Sequence, residues 1–133
     1  MPSSKRMTRK DFYLYNYRLI EELAAAKIRG ESHRTFSELM DDTGIEHPAA
    51  LSYMLSENRK LGRIKLIEGS VNPIEGYSIL PRGLDYFVSL SVLISYLLGM
   101  HNADSATDKI IVEASKLADI FIKAPKIDLN KYR

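Results

Sequence analysis

A mostly helical fold with one small β-hairpin is predicted for this chain, and three observations predict it. Capping signatures open helical runs at Thr8 and Thr35. Two short alternating runs, "GRIKLIEG" and "GYSIL", flank a segment bearing Ser, Asn and Pro. Two further apolar helical patterns follow, so the hairpin is embedded among helices rather than stacked with other strands.

Thr8, with Asp11 three residues on, forms a capping box: the hydroxyl takes an orphan N–H of the first turn and the carboxylate reaches back to the cap. The helix it opens turns Phe12, Leu19, Ile20, Leu23 and Ile28 inward and ends near Gly30. Tyr13, Tyr15 and Tyr17 cluster near its start, an aromatic group suited to packing, an interface or, less readily, base stacking. Thr35 and Glu38 make a second box, opening the short helix "FSELMDDT" that Gly44 closes. Pro48 suits the first position of a third helix, where its missing N–H would go unbonded anyway. That helix runs to about Leu61 with Leu51, Met54, Leu55 and Asn58 on one face, and Ala49, Ala50, Ser52, Tyr53, Ser56 and Arg59 on the other. After the hairpin, "PRGLDYFVSLSVLISYLLG" begins a long apolar helix, "HNADS" turns, and Ser105 with Asp108 caps a final helix that Pro125 ends.

Composition narrows the chemistry. A chain of 133 residues fits one domain with a core that needs no staples, and the absence of cysteine excludes disulfides, thiolate zinc sites and thiol nucleophiles. An intracellular, cytoplasmic protein is the natural expectation. The N-terminus "MPSSKRMTRK" lacks the apolar core of a signal peptide. Leu84 to Met100 is apolar, but it falls short of the ~20 residues of a membrane span and Asp85 and three serines interrupt it, so a buried helix is expected and no membrane partner. The absence of both cysteine and glutamine hints at a thermophilic, archaeal or viral source. Net charge is only +2, yet it is unevenly spread. Residues 58–82 carry five Lys/Arg against two acids, whereas 36–57 carry no Lys/Arg against five acids, so a local positive face is available at low net charge.

The order helix, helix, helix, hairpin, helix, helix, with a short turn at Gly44, is a helix-turn-helix followed by a wing. The stretch "TFSELMDDTGIEHPAALSYMLSENRKLGRIKLI" followed by "GYSILPRGLDYF" resembles the winged helix-turn-helix transcriptional regulators of the ArsR/MarR kind common in archaea and bacteria. Leu55, Gly62 and Ile64 keep the family's spacing into the wing, and "YSILPRG" is similar to its exit; Asn58 stands where the family has a second leucine. The resemblance covers roughly residues 8–90 and implies a DNA-binding regulator without enzymatic activity. It divides the chain into a winged helix-turn-helix over 1–82, with a basic N-terminal arm, and a dimerisation extension over 83–133.

A helix lying in a major groove needs short side chains near its backbone and cations at the groove edge. Pro48, Ala49, Ser52, Tyr53 and Ser56 are therefore the expected reading positions, and Arg59, Lys60, Arg63 and Lys65 the expected phosphate anchors on double-stranded DNA. The basic arm "SKRMTRK" is either a further contact or a solvated tail, and the wing loop "EGSVNPIEG" has two acids and no cation. No cofactor or metal is expected: the family's metal-sensing branch needs cysteines or clustered histidines, and His33, His47 and His101 are scattered. Neither a phosphate loop nor a metalloprotease or nucleophile-elbow motif occurs, and the adjacency of Glu31, Ser32 and His33 does not orient a triad. The apolar surface beyond residue 82 predicts a homodimer through Phe87, Leu90, Leu93, Ile94, Leu97, Ile110, Leu117 and Phe121, unless the two helices fold back on their own domain. The competing reading is a winged-helix protein-interaction module, favoured by the acids at Asp41, Asp42 and Glu46.

Overall fold

The computed structural model describes residues 7–67 and 76–123, with side chains to residue 120. Five helices and three short strands follow one another: α1 (Arg9–Ile28), β1 (Arg34–Thr35), α2 (Phe36–Thr43), α3 (Pro48–Lys60), β2 (Ile64–Ile67), β3 (Gly76–Ile79), α4 (Pro81–Met100) and α5 (Asp108–Lys123). Both N-terminal capping boxes form as expected. Asp11 N donates to Thr8 Oγ1 at 3.0 Å and Thr8 N to Asp11 Oδ2 at 3.3 Å. Glu38 N donates to Thr35 Oγ1 at 3.2 Å and Thr35 N to Glu38 Oε1 at 2.9 Å. Pro48 takes the first turn of α3. Gly44 and Gly62 end α2 and α3 with φ of 74° and 73°, the left-handed conformation in which glycine escapes a Cβ penalty.

The cap at Thr35 makes α2 sensitive to acid. The Thr35 backbone N–H, then its hydroxyl, hold the Glu38 carboxyl below its usual value. A depressed carboxyl contributes stability above its unfolded pKa of about 4.3 and loses it as pH falls through the folded value. Thr35→Ala should therefore cost about 1 kcal/mol at neutral pH, and a urea titration repeated near pH 3 should show a smaller difference between variant and parent.

The sheet has order β1-β3-β2, antiparallel throughout, with Ile64 opposite Ile79 and Leu66 opposite Tyr77. The strand β1, pairing Arg34 with Tyr77 and Thr35 with Gly76, has no counterpart in the sequence reading; two residues carry no alternation to detect. Around it Arg34 bonds Glu38 and Asp42 and also faces Glu31 and Glu22, tying α1, β1 and α2 together. The loop between β2 and β3, with its two acids, and residues 1–6, which hold the first part of the basic arm, lie outside the described residues.

One core joins every helix, drawing Leu19, Ile20 and Leu23 from α1, Leu39 from α2, Leu51, Met54 and Leu55 from α3, Leu90 and Ile94 from α4, and Ile110, Ala114 and Ala118 from α5. Asn58 is buried on the same face of α3, as its spacing predicts. Ile28, expected inside, is 81% exposed at the last residue of α1, on the side of the helix opposite Ala26, which stays buried. Thr107 rather than Ser105 holds the first turn of α5, its hydroxyl accepting from Ile110 N at 3.3 Å; the end predicted near Ala124 lies outside the described residues.

The C-terminal helices depart most from expectation. They fold back on their own domain, α4 and α5 packing on each other and both on α1. Leu90, Ile94, Leu97 and Ile110, expected at a dimer interface, are buried within the protomer, while Phe87, Leu93 and Leu117 are half-buried against the same core. The Phe121 side chain lies outside the described residues. What α4 leaves uncovered is a different stripe: Val88, Val92, Tyr96 and Met100 are 58%, 62%, 64% and 60% exposed, four residues apart on one face. By length and composition α4 could also cross a membrane, but its opposite face is committed to the core.

Candidate nucleic-acid interface

Three sides of α3 are distinguished by what they meet. The inner side is core. The outer side presents Ala49, Ser52 and Ser56, with Arg59 and Lys60 in the last turn, all exposed. The small side chains leave the backbone approachable, and the cations collect where the helix ends. Gly62 then turns the chain into β2, which brings Lys65 beside them. Ser56, Arg59, Lys60, Ile64, Lys65 and Leu66 line one shallow depression of about 500 Å³, so three of the four predicted anchors converge on a single basic site. Lys60 shares its charge with Glu57 at 3.2 Å. Pro48, at the start of the helix, is exposed at the opposite end of the stripe.

Arg63 does not belong to this set. Its residue is 6% exposed and its guanidinium lies 3.5 Å from the centre of the Tyr86 ring. Nη1 donates to Asn58 Oδ1 at 3.4 Å and Nη2 faces Asp119 at 3.9 Å. Asn58 in turn donates to Asn16 Oδ1 at 2.7 Å and to Met54 O at 2.8 Å. A polar chain therefore runs from α1 through α3 and the residue just before β2 to α4 and α5. It explains the asparagine that stands where an apolar residue was expected: Asn58 is the acceptor for a buried arginine. Burial pulls the Arg63 guanidinium down and pushes the Tyr86 phenol up to about 12, so Tyr86 stays neutral under the cation. The helix α4 starts hard against the turn into β2, for a Cβ on Gly83 would sit 2.2 Å from Arg63 O.

Sequence reasoning passed over Arg82. It lies exposed at the first turn of α4, with Nη1 donating to Leu61 O at 3.4 Å, so its charge joins the end of α3 where Arg63 had been expected. The basic composition of residues 58–82 was the available signal, but nothing in the spacing folds α4 back onto the α3 end.

The third side of α3, with Ala50, Tyr53 and Glu57, looks toward the start of α1. Tyr53 is 56% exposed, yet its ring meets Phe12 edge-on at 5.9 Å, placing it at the border of the outer stripe. Of the three acids that favour the competing reading, Asp42 bonds Arg34, Glu46 lies on the α1 side, and Asp41 is exposed. Ser32 Oγ and His33 Nδ1 are 2.8 Å apart, but Glu31 is held by Arg29 and Arg34 and completes no triad.

A helix-turn-helix with a three-stranded wing and C-terminal helices folded across it defines a winged-helix protein of MarR-like fold. No family model matches the sequence, and no curated protein does. Among solved structures the chain is similar to that described as a zinc-responsive MarR family member, Lactococcus lactis ZitR, at 15% identity and a TM-score of 0.50, over 98% of this chain and 80% of that one.

Proposed function

We propose that the protein is a sequence-specific, non-enzymatic DNA-binding transcriptional regulator that acts as a homodimer in the cytoplasm. The convergence of Ser56, Arg59, Lys60 and Lys65 at one end of the exposed α3 stripe carries this reading. Ala49, Ser52 and Ser56 enter the major groove, where short side chains admit the backbone to the base edges, and Arg59, Lys60, Lys65 and Arg82 hold phosphates. The dimer forms through the Val88, Val92, Tyr96 and Met100 stripe of α4, which is too apolar and too continuous to leave in water. A twofold axis there sets the two reading helices on successive major grooves, about 34 Å apart.

The zinc response of the structural neighbour is not carried over. Among the described residues no group of three or more His, Cys, Asp or Glu is placed to hold a metal. Elemental analysis of the purified chain should find well under one transition metal per protomer; about one zinc per chain would point to a site shared between copies.

The same exposed stripe on α4 gives the second reading, a winged-helix module that binds another protein and not DNA. A gel shift separates the two. Genomic duplexes from around the protein's own gene, assayed at two salt concentrations, should include one fragment that stays bound at the higher salt while unrelated DNA is released. Failure to retard any duplex at the lower salt would contradict DNA binding.

A further inference from the structure

The α1 side of α3 encloses a cleft of about 1260 Å³, walled by the start of α1, the turn into α3, α3 itself and Asp119 of α5. Its lining pairs aromatic rings with carboxylates. Phe12, Tyr13, Tyr15 and Tyr53 supply the rings, with Phe12 edge-on to Tyr13 at 6.2 Å and to Tyr53 at 5.9 Å. The Tyr15 ring already has the Arg18 guanidinium 5.8 Å from its centre, which leaves Phe12, Tyr13 and Tyr53 as the rings without a cation over them among the described contacts. Asp11, Glu46, Glu57 and Asp119 supply four carboxylates, against the Arg9 guanidinium and the His47 imidazole, among the described lining residues. Several of these acids have other duties: Asp11 caps α1, Glu57 meets Lys60, and Asp119 faces Arg63. They surround the rings rather than converge on a point, and no metal-binding group forms among the described residues.

We propose that this cleft binds a hydrophobic organic cation. Ring faces carry the negative part of the aromatic quadrupole and attract a cation that has shed some of its water. Carboxylates spread around the rim add a field of the same sense, and they oppose an aromatic anion of equal size. The volume suits a ligand of drug size, too large a space for a simple ammonium ion to fill. The outer stripe of α3 is flanked by a basic depression on the wing side and by this acidic, aromatic cleft on the other, so the two sides of one helix select ligands of opposite charge. The inference stands on the cleft alone and does not depend on the DNA reading.

The test is calorimetric titration of the full chain with tetraphenylphosphonium and, separately, with tetraphenylborate, ions of nearly the same shape and opposite charge. Saturable binding of the cation at one per chain is expected, with the borate at least about tenfold weaker. Phe12→Ala should weaken the cation about tenfold and Glu46→Gln, an exposed position that leaves the fold intact, by about threefold. Equal binding of the two ions would overturn the proposal, since it would report apolar surface without charge selection. So would a cation isotherm unmoved by both substitutions, or no saturable binding at all. Circular dichroism of each variant confirms that a loss is not unfolding.

Discussion

Arg63→Ala should destabilise the protein by about 3 kcal/mol, whereas Arg59→Ala, four residues earlier, should stay within about 0.5 kcal/mol of the parent. The difference follows from where each guanidinium goes. Arg59 is exposed at the end of α3. Arg63 is buried against Tyr86, donates to Asn58 and faces Asp119. Truncation empties the space over the Tyr86 ring and removes a donor from Asn58 Oδ1, whose amide stays fixed on Asn16 and Met54. Arg63→Lys should recover only part of the loss, because an ammonium neither stacks on the ring nor reaches Asn58 and Asp119 as a planar fork. Urea denaturation with a common slope reads the difference directly. An Arg63→Ala protein as stable as the parent would contradict its burial.

The second large effect is expected on assembly. The intact chain should sediment at twice its 15.1 kDa mass. Val92→Asp puts a carboxylate in the middle of the exposed stripe, where a dimer must desolvate it without a partner. A cost of about 3 kcal/mol weakens association by roughly a hundredfold and yields a folded monomer at micromolar concentration. Leu90→Asp, two residues away but fully buried, should unfold the protein instead. A parent chain that stays monomeric at high concentration would remove both the dimer and the palindromic operator implied by it.

Local chemistry made much of this fold legible in the sequence. Thr8, Thr35, Gly44 and Pro48 act through atoms within a few residues: Thr8, Thr35 and Pro48 open helices and Gly44 closes one where the spacing predicts. The inward face of α3 was legible for the same reason, since Leu51, Met54, Leu55 and Asn58 share one side by periodicity alone. Long-range relations were not. Arg63 stands among three surface-type cations in sequence, Arg59, Lys60 and Lys65, and only the arrival of Tyr86 and Asp119 from α4 and α5 turns it inward. The apolarity of α4 was plain, but which part of it the protein would cover depends on how α1 and α5 lie across it. Periodicity marks a face as apolar without saying whether its cover comes from the same chain or another.

The central claim, that the outer face of α3 and the adjoining strand grip DNA phosphates, is tested most directly by the salt dependence of binding. The logarithm of the association constant should fall linearly with that of salt concentration. The double variant Arg59→Ala, Lys65→Ala should lose about one unit of slope per cation and protomer, and weaken binding to all sequences alike. Both side chains are exposed, so stability should not change. A double variant with the parent's slope and affinity would contradict the assignment of this face to DNA.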